Sequence, residues 1–237
     1  MNSVFVALQA FHLILGFVLL VFLLRGFLPK YLVLFLYSAI QEVITLIDLV
    51  LVNGEEGRKS ALYRNIYWTE EIVWDLSMFL LVSVLIHRTL EGRPEREFAR
   101  KVLIIVWVTA LALPFLLFTS HPMFGTRWFN GASQVLNFGA AILNLVLWGA
   151  LIATRNRDRL LMLVSAGLGI NVAGAAIAWG VRQLALHTSF VNDVRNAADM
   201  FAQLTYLAGL AIWCYAFTPK RILHTSSSEG IHVSRAE

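Results

Sequence analysis

One cysteine, Cys214, is present among 237 residues, so the chain can form neither an internal disulfide nor a cysteine-based metal cluster. Charge is also scarce. Asp, Glu, Lys and Arg make up 14% of residues, where a soluble domain carries about 25%. That shortage excludes an ordinary soluble globular protein, and the abundance of apolar residues excludes a disordered chain. The net charge of +4 is small, and its basic residues sit in short connectors rather than in a tract. Nucleic-acid binding is not expected. No glycine-rich phosphate loop and no serine-nucleophile motif is present. The lysine nearest the last apolar run is Lys220, beyond its end, which excludes a retinal Schiff base within it. Only His12 lies well inside an apolar run, with His87 at the edge of another, so paired axial ligands for a haem are missing. A metal site assembled from His121, His187, Asp193 and Glu70 finds no support in ligand spacing. The sequence therefore predicts no cofactor, no metal and no catalysis.

What it has in abundance is apolar length. Fully 58% of residues are apolar, and they gather into runs near the roughly 20 residues a helix needs to cross the hydrocarbon core. Seven such spans are expected, at 4–24, 31–52, 67–87, 101–119, 131–153, 159–182 and 195–217. The fold class is thus all-α, a polytopic membrane protein with seven transmembrane helices. The runs are about twice too long for barrel strands and do not alternate. Pro94 followed by Glu95 and Glu97 suits a helix start, and Pro114 should bend the fourth span. Connectors 1–2, 3–4 and 5–6 with the C-terminal segment hold 13 of the 19 Lys and Arg residues. The positive-inside rule then puts the N-terminus outside and the C-terminus in the cytoplasm, in the inner (plasma) membrane. Helix 1 reads as an uncleaved anchor. One seven-helix domain is expected over 1–219, followed by a Ser-rich disordered cytoplasmic tail over 220–237.

Polar residues inside spans are costly, and each is a functional-site hypothesis. Helix 2 aligns Tyr37, Gln41, Thr45 and Asp48 on one face, with Glu42 to the side. Helix 3 opens YWTEEIVWD, placing Tyr67, Glu71 and Asp75 together beside Glu70 and Trp74. Helix 5 aligns Asn130, Gln134, Asn137 and Asn144; helix 7 aligns Asn192, Asn196, Asp199, Gln203 and Tyr206; helix 6 ends in Arg182. Most of these fall in the outer half under the expected orientation. They predict an outward-facing acidic pocket lined by helices 2, 3, 5, 6 and 7, with Glu42, Asp48, Glu70, Glu71, Asp75, Gln134, Asn137, Arg182, Asp199 and Gln203 as its ligand-binding residues. Asp75 and Asp199 lie at similar depths and are expected to face each other. The competing reading is a hydrogen-bond network that only fixes packing. The small residues of helix 6, including Gly167 and Gly174, predict close packing in the bundle centre. Helix 4 has almost nothing polar and should face lipid.

With FHLILG in helix 1 and YWTEEIVWD opening helix 3, the chain resembles bacterial seven-helix inner-membrane proteins of unassigned role. In architecture it is similar to the seven-helix input modules of bacterial sensor proteins. The outward-facing acidic pocket, taken with that resemblance, leads to the expectation of a non-enzymatic sensor or ligand-binding module in the lipid bilayer. It would signal to a separate cytoplasmic or membrane protein partner through the Arg88–Lys101 connector. The alternatives are a small transporter or proton pathway using the intramembrane carboxylates, and an accessory subunit of a larger membrane complex.

Overall fold

The computed structural model describes residues 3–52, 61–117, 125–153, 158–185 and 191–218. They form seven helices: α1 (Ser3–Leu24), α2 (Leu32–Val52), α3 (Ala61–Thr89), α4 (Glu95–Leu117), α5 (Thr126–Ala153), α6 (Arg159–Ala185) and α7 (Val191–Ala216). The all-α fold expected from the sequence is present. Six of the helices, all but α3, are long and apolar enough to cross a membrane. The chain is a membrane protein on that evidence. α3 carries three acids, Glu70, Glu71 and Asp75, of which Glu70 and Asp75 are buried inside the protein. The tail over 220–237 lies outside the described residues.

Four helices start four or more residues before their apolar runs: α3 at Ala61, α4 at Glu95, α5 at Thr126 and α7 at Val191. Hydropathy marks only the lipid-depth part of a helix, whereas backbone hydrogen bonding continues into polar turns. In α4 the first turn carries Glu95 and Glu97, where the positive end of the helix dipole favours acids. Asp158 caps α6, its Oδ1 accepting from the backbone N–H of Leu160 and Leu161 at 3.0 and 3.1 Å.

Six helices close a ring in the order α1, α2, α3, α5, α6, α7, with α6 and α7 the most extensive pair. α4 stays outside, leaning on α5 and slightly on α3, and buries only Ala110 and Pro114. The helix with almost nothing polar is thus the one outside the ring. Small residues set the α6–α7 approach. A Cβ built on Gly209 would lie 2.8 Å from the Gly167 carbonyl oxygen, and one on Gly167 would lie 2.9 Å from the Gly209 carbonyl oxygen. No side chain fits there. Trp213 fills the space beside them, donating its indole N–H to the Val164 carbonyl at 2.9 Å.

At the end carrying the α1–α2 turn, Arg88 ties three elements together. It donates to the Lys30 carbonyl at 2.8 Å and lies 4.3 Å over the Tyr31 ring. Phe27 and Tyr31 in turn pack edge-on against Phe217, just past the end of α7. Arg96 is bound to the His87 ring. Two cations of the Arg88–Lys101 connector therefore already have structural duties.

Candidate functional site

The acidic residues of α3 occupy successive turns, so Glu71 and Asp75 share one face. That face meets α5, where Ser133 and Asn137 are also one turn apart. Asp75 is 3% exposed. Its Oδ2 accepts from the Ser133 hydroxyl, and its Oδ1 accepts from the Asn137 amide at 2.8 Å. Asn137 also reaches the Ser133 carbonyl at 3.1 Å and the Ser133 Oγ at 3.3 Å. Glu71 hydrogen-bonds with Ser133 on one side and Trp179 of α6 on the other, and lies beside Arg182 and Asp199. Arg182 closes the group. Its Nε donates to Asp199 Oδ1 at 2.8 Å, its Nη2 pairs with the same oxygen, and its side chain lies against Trp179.

The Ser133 hydroxyl limits what this arrangement can hold. It carries one hydrogen but meets two carboxyl groups, Asp75 and Glu71. If that hydrogen goes to Asp75, Glu71 completes its own bond only by donating one, and the converse holds if it goes to Glu71. With the Ser133 hydrogen on Asp75, a proton on Glu71 would let that carboxyl donate to the Ser133 oxygen, while Trp179 and Arg182 serve its remaining oxygen. Near the mouth, the Asp199 side chain is 46% exposed and the Arg182 side chain 24%. A graded series thus runs from an accessible ion pair through half-buried Glu71 to buried Asp75.

Five of the expected site residues, Glu71, Asp75, Asn137, Arg182 and Asp199, come together here. Glu71 rather than Asp75 is the carboxyl neighbour of Asp199, because it lies one turn nearer that helix end. Asp48 and Glu70 face each other separately, close enough for Asp48 to act on Glu70 through its charge. Gln203 keeps its Oε1 buried without a hydrogen-bond partner. Gln134 points elsewhere. It lines an apolar groove of about 580 Å³ between α4 and α5, with Ile105, Thr109, Leu113 and Phe138. Three of the four polar residues of α5 meet different neighbours: Asn137 meets α3, Gln134 meets α4, and the Asn144 amide lies close to Gly169 of α6.

Glu42 belongs to a second centre. Its carboxyl turns toward α1, lying against Gly16 and 3.4 Å from His12 Nε2. Between the two centres lies Tyr37, whose oxygen accepts from Trp74 at 3.2 Å and Asn171 at 2.8 Å. Sequence reasoning did not single out Ser133, Trp179 or Gly16. Ser133 had one available signal, its place one turn before Asn137. No three His, Cys, Asp or Glu side chains among the described residues are arranged to hold a metal ion. No known protein family, curated protein or solved structure matches the chain.

Proposed function

We propose that the protein is a non-enzymatic membrane sensor whose ligand is a proton taken up at the Glu71–Ser133–Asp75 centre. In this reading all seven helices cross the inner membrane. The 29 residues of α3 span about 43 Å at 1.5 Å per residue, enough for a tilted crossing. The distribution of Lys and Arg supports an outside N-terminus, which turns the Arg182–Asp199 mouth outward. The observation that carries the proposal is the single Ser133 hydroxyl between two carboxyl groups. Loss of the proton leaves two carboxylates competing for the one Ser133 hydroxyl, with Asn137 and Trp179 as their other donors. Both carboxylates stand on α3, so their repulsion would turn the two side chains apart and break at least one of their bonds to Ser133 of α5 or Trp179 of α6, loosening α3 from those helices. A partner at the cytoplasmic end would read that rearrangement through the exposed Arg100 and Lys101 of the α3–α4 region.

A second reading, a proton pathway, draws on the line from Asp75 past Tyr37 toward Glu42 and His12. The two readings separate in one pair of measurements, made in a Cys214→Ser background. Spin labels at the exposed Ile142 and Leu184 report the α5–α6 distance. A sensor changes that distance by several ångströms between about pH 5 and pH 8 and loses the change in Asp75→Asn. Proteoliposomes carrying a trapped pH dye then show no proton flux for a sensor and a flux for a pathway. A distance insensitive to both pH and Asp75→Asn overturns the sensor.

A further inference from the structure

Between α1, α2 and α7 lies a cluster of polar side chains that the carboxyl centre does not use. His12 is 7% exposed, Glu42 9% and Tyr206 4%. His12 Nε2, Glu42 Oε1, the Tyr206 hydroxyl, Gln41 Nε2 and the Ser38 hydroxyl are all buried without a hydrogen-bond partner. Unpaired polar groups at such depth are expensive and rare. Yet His12 Nε2 and Glu42 Oε1 lie only 3.4 Å apart, and the His12 and Tyr206 rings are 4.6 Å apart at their centroids.

The backbone makes room for this pair. A Cβ on Gly16 would overlap the Glu42 carboxyl, so glycine there, one turn after His12, is what lets the carboxyl enter between α1 and α2. The groups facing the pair are few. On α2, Ser38 lies one turn before Glu42 and Gln41 is next to it, while Tyr37 lies near enough to act on Tyr206. From α7 the groups are Tyr206 and Cys214, whose thiol is committed to the Leu15 carbonyl. From α3 the Trp74 ring reaches Tyr206. No lysine or arginine occurs in α1 or α2, and Arg195 of α7 lies three turns from Tyr206.

We infer that His12 and Glu42 form a second proton-binding site, distinct from the Glu71–Asp75 centre. One proton supplied by water converts the carboxylate and neutral imidazole, together −1, into a pair of net charge zero. The proton rests either on Glu42 Oε1 or on His12 Nε2. Passage between them breaks one O–H bond and forms one N–H bond, with no change in total charge. Tyr206, with no acceptor of its own, can donate to the carboxylate side of the pair. The inference extends the proton reading given above to a second site but has its own test.

The test is the titration of His12, followed by nitrogen-15 histidine NMR in lipid nanodiscs and assigned among the six histidines by His12→Gln. Glu42→Gln, neutral and of the same shape, is expected to move the His12 midpoint by about half a pH unit or more, because the coupled partner is gone. Gly16→Ala, which expels the carboxyl, is expected to move it the same way. Asp75→Asn should leave it in place. A His12 midpoint unmoved by both Glu42→Gln and Gly16→Ala overturns the pair. If Glu42→Gln fails to fold, Gly16→Ala and the loss of a carboxyl infrared band in His12→Gln decide the matter. Failure of the Glu71–Asp75 reading appears separately, as a carboxyl band that Asp75→Asn does not alter while His12 still responds to Glu42→Gln.

Discussion

Replacing Gly174 by alanine tests the closeness of α6 and α7, on which the position of Arg182 and Trp179 depends. A Cβ at this position would stand 2.5 Å from Thr205 Cβ and 2.8 Å from Thr205 Cγ2. Rotation of Thr205 cannot clear its own Cβ, so the helices must separate. Ordinary carbon contact needs about 3.5–4 Å, which asks for about 1 Å of displacement. Overpacking of this kind costs about 1–3 kcal/mol. For a chain of this size each kcal/mol moves the midpoint by about 2–4 °C, so Gly174→Ala should lower the Tm in detergent by about 2–12 °C. Gly180 is the control, since nothing lies within 4 Å of its would-be Cβ. Gly180→Ala should be neutral or slightly stabilising, because alanine favours helix by about 1 kcal/mol. In a Thr205→Gly background the Gly174→Ala penalty should vanish, as a double-mutant cycle would show. Equal Tm changes for Gly174→Ala and Gly180→Ala would refute the close approach.

Three further outcomes follow from the site. Ser133→Ala leaves Asp75 one donor short and should destabilise the protein by about 1–3 kcal/mol in a thermal melt, whereas Arg182→Ala, at a partly exposed ion pair, should cost under about 1 kcal/mol. Gln134→Leu on the α4–α5 groove should leave both the Tm and the carboxyl infrared bands within error, since the amide faces apolar side chains. With Cys214→Ser as background, Ser60→Cys should react with an impermeant thiol reagent in intact cells and Thr225→Cys only after lysis, as differential labelling would record.

The helices were legible because a spanning helix leaves a long apolar run, and the outside position of α4 followed from its lack of polar residues. Helix starts were less legible. Arg64 in α3 and Arg96 in α4 lie within the helices but outside the apolar runs. The partial reading of the site has a geometric cause in α5. At about 100° per residue, Gln134 and Asn137 point about 60° apart, close enough to read as one stripe yet wide enough to meet different neighbours. Ser133 lies about 40° from Asn137 on the side away from Gln134, and that side faces α3. Glu42 was misassigned to the pocket for a related reason. Its direction is set by the missing side chain at Gly16 on another helix, and the pattern of α2 alone carries no trace of it. His12 read as a lone histidine because its partner is 30 residues away.

The proton at the Glu71–Ser133–Asp75 centre is best tested by infrared difference spectra of the carboxyl C=O stretch in wild type, Glu71→Gln and Asp75→Asn. Protonated carboxyl groups absorb there and carboxylates do not, and the spectra are recorded in lipid across about pH 5–9, the range in which perturbed carboxyls titrate. The account predicts one titrating band that either substitution removes or displaces, because both groups compete for the one Ser133 hydroxyl. A band unchanged in both variants, or no band over that range, would contradict it and leave the cluster as packing alone.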